Sequence, residues 1–223
     1  MSLALLEQIA GQPAPGALSP LQLRMRDQAM ALVRDEELLR AADHFNLLPL
    51  DGIEGEELLI GAERLRAPLL LPPADQGELT AVTCGVCTLG PWLEHKVGEL
   101  FEKKQRSLGL ALDSFGNELL LALGRRLQDR IFAACRERGL SVGRELRAGD
   151  PGLDLAAQAG VLRLAQAERI GIRLHGGHLL NPLKSASVVF AVGRDLPQSA
   201  RSVCADCPSR ARCTLTTSTF EAA

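Results

Sequence analysis

Apolar residues recur at helical spacing soon after the start of the chain. Ser19 followed by Pro20 is a typical helix start, because serine caps free amide groups and proline fits the first turn. The segment that follows, residues 21–42, is predicted to be an amphipathic helix. Its apolar positions on one face are Leu21, Met25, Ala29 and Leu32.

Two more helices are predicted in the middle of the chain, over residues 92–104 and from Asp113 to Arg138. Asp113 is the expected N-cap of the longer one, and Gly139 is expected to end it. One unbroken apolar stripe predicts that this helix packs on a core. The stripe comprises Phe115, Leu119, Leu123, Leu127, Ile131 and Cys135, so Cys135 is interpreted as a small core residue.

The remaining apolar runs are short and are rich in β-branched residues or bounded by prolines, which predicts strands. They cover residues 56–62, 67–73, 79–84, 170–174 and 187–193, and one further helix is expected between Pro151 and Arg169. This irregular mixture favours an α+β fold over a doubly wound one. Residues 1–18 are predicted to be a flexible arm, 19–198 the folded domain and 199–223 a cysteine-bearing tail.

Composition limits the classes of function. A chain of 223 residues, 46% of them hydrophobic, can bury a large core, and a net charge of −2 argues against a nucleic-acid partner. The first residues lack the basic segment of a signal peptide, and no apolar run is long enough to span a bilayer. We therefore expect a cytoplasmic protein with no membrane partner and with reduced thiols. The absence of tyrosine excludes any mechanism that needs a phenol.

Five cysteines form two groups with the spacing of metal ligands. Cys204, Cys207 and Cys213 follow the pattern C-x2-C-x5-C, and Cys84 and Cys87 form a second C-x2-C pair. Three thiolates from one segment suit an iron–sulfur cluster, with zinc as the alternative, and both normally take a fourth ligand. Cys84 or Cys87 could supply that ligand. A redox disulfide, or no site at all, is the remaining interpretation.

Motifs for other chemistry are missing. The sequence has no dinucleotide-binding G-x-G-x-x-G after a strand, no phosphate-binding P-loop and no G-x-S-x-G nucleophile elbow. His175 and His178 flank two glycines, which is typical of a polar surface turn, although a histidine could also complete a zinc site. The residues alone therefore name no reaction.

Two segments resemble the reactivation domain of cobalamin-dependent methionine synthases and its free-standing relatives. Residues 87–131 carry a T-L-G-P turn, a helix and then L-A-L-D-x-x-G, and residues 168–193 run through P-x-K-S-x-S into a strand. The most specific matches lie at 88–91, 110–116 and 182–187. The short family members also tend to carry a cysteine cluster near the C-terminus.

The resemblance implies a twisted antiparallel sheet flanked by helices, in a protein that services a separate corrinoid protein or cobalamin-dependent methyltransferase. By that analogy the chain is an accessory for reductive reactivation, with an iron–sulfur cluster passing electrons to the cobalamin of its partner. The family binds S-adenosylmethionine through an R-x-x-x-G-Y loop, which implies roles for Arg144, Arg147 and Gly149. Asp150 stands at the tyrosine position. An S-adenosylmethionine-dependent reactivase and a zinc-stabilised protein-binding module are the two alternatives.

Overall fold

The computed structural model describes residues 2–11, 18–73 and 75–197, and the fold is that of these residues. In chain order its helices and strands are α1 (Ser2–Ala10), α2 (Pro20–Asp35), β1 (Ala42–Pro49), β2 (Gly52–Glu54), β3 (Glu57–Ile60), β4 (Glu63–Arg66), β5 (Glu78–Thr88), α3 (Trp92–Glu102), α4 (Arg106–Arg136), β6 (Ser141–Leu146), α5 (Gln158–Leu164), β7 (Arg173–His175), β8 (Leu179–Asn181) and β9 (Ser185–Arg194).

Four antiparallel strands form the central sheet, in the spatial order β1–β5–β9–β6. The two inner strands, β5 and β9, are the longest and are paired on both sides, and their apolar residues are largely buried. Two small antiparallel units, β2–β3–β4 and β7–β8, complete the strands of the described residues. The predicted class, an α+β fold with an antiparallel sheet and flanking helices, is confirmed.

Each face of the central sheet carries its own hydrophobic core. The apolar stripe predicted along α4 is buried on one face of the sheet, together with side chains of α1, α2 and α3, and we call this cluster the α4 core. Gly85 of β5 has no side chain, and a Cβ there would lie 3.2 Å from Leu127 and from Ile131, so the glycine lets α4 lie close to the sheet. The second core, which we call the α5 core, lies on the other face, between the central sheet and the elements β3, β4 and α5.

The N-terminal segment differs from the predicted flexible arm. Ser2–Ala10 form a helix, and its residues Leu5, Leu6 and Ile9 are buried in the α4 core. Arg126 of α4 donates hydrogen bonds to the carbonyl of Ala4 (2.9 Å) and to the side chain of Gln8 (2.8 Å). The glycines and prolines at 11–16 suggested a loose segment, but the apolar residues before them cover a part of α4 that would otherwise meet water.

Helix α2 begins as predicted, and its predicted face is correct in part, since Ala29 is buried and Leu32 packs against the core. The Ser19 side chain accepts from the Gln22 amide and the Gln22 side chain accepts from the Ser19 amide, which is a capping box. Leu21 is 56% exposed, whereas the buried positions are Arg26, Ala29 and Val33. The helix also ends at Asp35, because Glu37 has a positive φ of 50°, and edge strand β1 begins at Ala42.

Helix α4 starts about two turns earlier than predicted, at Arg106. Asp113 is therefore not an N-cap but lies inside the helix. Gly139 follows the end of α4 with a positive φ of 67°, as expected of a residue that stops a helix.

The apolar run at 67–73, which was predicted to be a strand, is not one, since Pro68–Leu70 form a 3-10 turn. None of the helices in the described ranges is both long and apolar enough to cross a membrane.

Candidate functional site

Three separate stretches of the chain meet at the end of the central sheet where β5 stops and β9 begins. The Leu89 amide donates to the carbonyl of Lys184 (2.9 Å), and the Ser185 hydroxyl donates to the Thr88 hydroxyl oxygen (2.8 Å). Thr88 in turn accepts from the amide of Gly90 at 3.0 Å. The turn after β5 is thus hydrogen-bonded to the start of β9.

Lys184 connects this turn to α4. Its Nζ lies 2.7 Å from Asp113 Oδ1 and 2.7 Å from Asn117 Oδ1, which are one helical turn apart on α4. The lysine is only 8% exposed, and a buried ammonium group is stable only where it has a charged partner and hydrogen bonds. We call these three residues, Lys184, Asp113 and Asn117, the lysine cluster. The side chain of Asp113 is 46% exposed, so the cluster opens to solvent on that side.

A glycine makes room for the lysine stem. A Cβ at Gly116 would lie 2.9 Å from Cδ2 of the buried Leu93 and 3.3 Å from Cε of Lys184. The first distance is shorter than carbon atoms tolerate without a shift. The close packing of α3, α4 and the start of β9 around Lys184 therefore depends on the glycine at position 116.

Large apolar side chains are exposed on the elements that pack around Lys184. Trp92, at the start of α3, is 51% exposed, and Leu183, next to Lys184, is 62% exposed. The amide of Leu183 donates to Glu94 Oε2 (2.6 Å), which joins the turn before β9 to the start of α3. Leu110 is 60% exposed and shares a face of α4 with Asp113 and Asn117. We call Trp92, Leu110 and Leu183 the apolar rim, and exposed apolar residues around a polar centre are typical of binding surfaces.

The predicted residues Arg144, Arg147 and Gly149 lie on β6 and the loop that follows it. Arg144 is exposed. The guanidinium of Arg147 donates from two nitrogens to Oε1 of Glu145, at 2.9 and 3.1 Å, and its backbone amide donates to Asp150 Oδ2 (2.8 Å). Gly149 has a positive φ of 97°, and its amide donates to the carbonyl of Leu153 (2.9 Å). The glycine thus closes a tight loop.

Glu145 is a further candidate site residue, which the sequence analysis did not identify. Its side chain is 5% exposed, whereas that of its partner Arg147 is 49% exposed. The carboxylate holds one side of the guanidinium and leaves the rest accessible to a ligand. The two members of this pair are separated by one residue on the strand, a spacing that places both on the same face of a sheet and could have indicated the pair.

This arginine loop lies at the same end of the sheet as the lysine cluster. Strand β6 ends at Leu146, opposite Val189 of β9, and β5 ends at Thr88, opposite Ser185. Arg147 is close enough to Cys87 of β5 to oppose the rise that burial causes in the pKa of that thiol. The structure therefore brings an accessible guanidinium and the lysine cluster to one region of the surface.

The C-x2-C pair Cys84 and Cys87 does not form the tight turn expected of metal ligands. Both cysteines lie within β5, where residues three apart point to opposite faces of the sheet. Cys84 is in the α5 core and Cys87 is in the α4 core, with 0% and 1% exposure. Burial raises the pKa of each thiol to about 12. One metal ion cannot bind both.

The tail cysteines Cys204, Cys207 and Cys213 lie outside the described residues. Cys135 is buried on α4, as predicted. Within residues 2–11, 18–73 and 75–197, no three or more histidine, cysteine or acidic residues are grouped so that they could hold a metal ion. The iron–sulfur or zinc site therefore stays a prediction about the tail.

Comparison with known proteins identifies the fold. No protein-family model and no curated protein matches the sequence. Among solved structures, the chain is similar to the MetH reactivation domain bound to AdoHcy, with a TM-score of 0.55 over 81% of this chain and 67% of that one. The chain has the fold of the MetH reactivation domain. At 13% identity, the likeness establishes the fold and not the activity.

The likeness to the MetH reactivation domain was expected from three short stretches, at residues 88–91, 110–116 and 182–187. These are far apart in the sequence, but all three contribute to the surroundings of Lys184. The first supplies the turn after β5, the second supplies Asp113 and Gly116, and the third includes Lys184 itself. The segments that resemble the family are therefore those that build this region of the surface.

Proposed function

We propose that this chain is an accessory protein for the reductive reactivation or maintenance of a corrinoid-dependent methyltransferase, and that it acts on cobalamin carried by a separate partner protein. The observation that carries the proposal is the fold of the MetH reactivation domain, combined with the assembly of the three family-like stretches around Lys184.

The chemistry of the lysine cluster and the apolar rim suits a corrinoid partner. A corrin ring has an apolar face and a periphery of amide side chains. Trp92, Leu110 and Leu183 offer exposed apolar contact area, and Asp113 and Asn117 offer a carboxylate and an amide at the edge of that area. Amide groups find both donors and acceptors in such a setting. We propose that this surface faces the cobalamin of the partner.

A second candidate function, an S-adenosylmethionine-dependent reactivase, is favoured by one observation. The similar MetH structure is bound to AdoHcy. In this chain the exposed side of Arg147 offers hydrogen-bond donors that match a ligand carboxylate, and Glu145 adds a negative charge beside it. We propose that the loop of Arg144, Arg147 and Gly149 binds the amino-acid part of an S-adenosyl ligand.

Electron supply is assigned to the tail. One-electron reduction of cob(II)alamin needs a low-potential donor, and iron–sulfur clusters reach that range. We propose that Cys204, Cys207 and Cys213 hold such a cluster, and that an external low-potential reductant reduces the cluster again after each electron transfer to cobalamin. Zinc on the same cysteines would instead stabilise the tail and leave the protein as a binding module.

The test is a reactivation assay with full-length chain purified without oxygen. A corrinoid protein in the cob(II)alamin state is mixed with the chain and a low-potential reductant, with and without S-adenosylmethionine, and the cob(II)alamin signal is followed by electron paramagnetic resonance. We expect the chain to accelerate loss of the signal. Iron and sulfide analysis of the same sample tests the cluster, and calorimetry with AdoHcy tests the ligand.

Substitutions make the assay specific. Trp92→Ala removes an exposed contact and should slow reactivation without changing the fold, and the matched control is Ile53→Ala, an exposed apolar residue on β2. Arg147→Ala should weaken AdoHcy binding at least about tenfold, the size expected from losing a charge-assisted hydrogen bond. The matched control is Arg173→Ala, an exposed arginine on β7 outside the proposed site. No acceleration by the wild-type chain with any corrinoid protein would refute the proposed function.

A further inference from the structure

Glu94 occupies the third position of helix α3, where a glutamate normally caps its own helix. Pro91 is the N-cap, and Trp92, Leu93 and Glu94 are the first three helical residues. A glutamate at this position usually accepts a hydrogen bond from the backbone amide of the N-cap residue. Pro91 has no amide hydrogen to donate. The carboxylate of Glu94 therefore lacks its usual local partner.

The carboxylate instead accepts a hydrogen bond from a distant part of the chain. Oε2 of Glu94 lies 2.6 Å from the backbone nitrogen of Leu183, which is 89 positions later in the sequence. Leu183 is the middle residue of the three-residue connection between β8, which ends at Asn181, and β9, which begins at Ser185. A hydrogen bond to a charged acceptor is stronger than one between neutral groups. Glu94 thus attaches this connection to α3.

Two further contacts hold the same connection, both through Lys184. Its carbonyl accepts from the Leu89 amide at 2.9 Å, and its ammonium group bonds to Asp113 and Asn117 of α4 in the lysine cluster. The connection is therefore fixed to α3, to α4 and to the turn after β5. A segment that is already fixed needs little further ordering when a partner binds.

The side chain that this fixed connection presents to solvent is apolar. Leu183 is 62% exposed, although its backbone amide is held by a charged group. An exposed leucine gains little from folding, but it stabilises a complex once a partner removes it from water. Leu183 is thus suited to be a preorganised contact within the apolar rim.

We infer that Glu94 is a positioning residue, which holds Leu183 through its backbone amide for contact with the apolar face of the partner's corrin. The docking half of this inference rests on the proposed function, whereas the positioning half does not. Trp92 begins the same helix as Glu94, so the hydrogen bond also joins two members of the apolar rim. Loss of the carboxylate should weaken docking and leave the electron-transfer step unchanged.

Amide hydrogen exchange of the native full-length chain, followed by NMR, tests the positioning half without any partner. Glu94→Ala should speed exchange of the Leu183 amide at least about tenfold, the factor expected from losing a hydrogen bond to a charged group. Glu94→Gln, whose side-chain carbonyl still accepts, should keep most of the protection. Glu99→Ala is the matched control, because it removes the same charge from an exposed position of α3. Equal exchange at Leu183 in the wild type and Glu94→Ala would overturn the inference.

The reactivation assay, run over a range of corrinoid-protein concentrations, tests the docking half. Glu94→Ala and Leu183→Ala should each raise the concentration that gives the half-maximal rate about tenfold, the factor expected from losing one buried leucine contact. The limiting rate should not change, and Glu94→Gln should behave more like the wild type. The matched control for Leu183→Ala is Leu179→Ala, a leucine on β8 that is 59% exposed. The double variant should be no weaker than the weaker single variant, because both changes remove one contact.

The possible results separate the two halves. Faster exchange at Leu183 in Glu94→Ala with an unchanged half-maximal concentration would refute the docking half. Additive effects of Glu94→Ala and Leu183→Ala would show that the glutamate does not act through the leucine, which also contradicts the inference. If the wild-type chain accelerates no corrinoid reaction, the proposed function and the docking half fail together, while exchange at Leu183 still decides the positioning half.

Discussion

Two glycines on helix α4 allow a controlled test of the packing around Lys184. Gly116 faces Leu93 and Lys184, whereas a Cβ at Gly124 of the same helix would meet nothing within 4 Å. Both positions have helical backbone, so alanine gains the same helix propensity at each. Gly116→Ala and Gly124→Ala therefore differ only in what the added methyl group touches.

The magnitudes follow from those distances. Alanine is more favourable than glycine inside a helix by about 0.5–1 kcal/mol, and Gly124→Ala should gain that amount. At Gly116 the new Cβ would lie 2.9 Å from the fully buried Leu93, so a core side chain or the helix would have to shift. Overpacking of this kind costs about 1–3 kcal/mol. We expect Gly116→Ala to be less stable than Gly124→Ala by that amount.

Urea unfolding followed by circular dichroism measures the difference, and thermal unfolding gives a second value. For a domain of this size, 1 kcal/mol corresponds to about 2–4 °C in Tm. The new Cβ would also lie 3.3 Å from Lys184 Cε, so Gly116→Ala should slow the reactivation assay and Gly124→Ala should not. Equal stability of the two variants would refute the packing account of the site.

Three further predictions concern the scaffold. Leu5→Ala should destabilise the chain by about 2–5 kcal/mol in urea unfolding because Leu5 is 0% exposed, and no change would show that α1 is the loose arm after all. Arg26→Met should cost up to about 3–5 kcal/mol, since it leaves the largely buried carboxylate of Glu118 unpaired, whereas Arg26→Met combined with Glu118→Leu should recover most of the loss. Burial raises the pKa of Cys84 from 9.0 to about 12, so the unfolded chain releases this proton first as the pH rises. Between pH 9 and 12 the Cys84 thiol therefore lowers the free energy of unfolding by about 1.4 kcal/mol for each pH unit. Cys84→Val should reduce the slope of unfolding free energy against pH by this amount. An unchanged slope would mean that the thiol is not buried.

Long periodic segments were predictable because their pattern reports burial directly. The stripe from Phe115 to Cys135 was located on the buried face of α4, residue by residue, since 3.6-residue periodicity leaves one face to pack. Short segments were not predictable in this way. Ala42 was assigned to the end of a helix but begins β1, because pairing with β5 outweighs local helix preference.

The cysteines show the limit of motif reading most clearly. The spacing of Cys84 and Cys87 is that of a metal-binding turn, but the apolar run before them continues to Thr88 as one strand. Strand geometry then separates the two thiols to opposite faces of the sheet. The sequence C-G-V-C can therefore form a metal-binding turn or part of a strand, and in this chain the pairing of β5 with β1 and β9 makes it a strand.

Apolar periodicity and the mixture of short and long segments were enough to establish an α+β fold with one central helix, since those properties depend on neighbours in the sequence. The surface around Lys184 is different. Asp113 was interpreted as a helix cap and Lys184 as part of a turn, yet the fold places their charged groups 2.7 Å apart, although the two residues are 71 positions apart in the sequence. The Glu145–Arg147 pair is local in the sequence, but the burial of the Glu145 carboxylate was decided only by the position of β6 beside β9. A charge pair of this kind depends on long-range packing, because a buried carboxylate or ammonium is tolerated only where the whole fold supplies its partner.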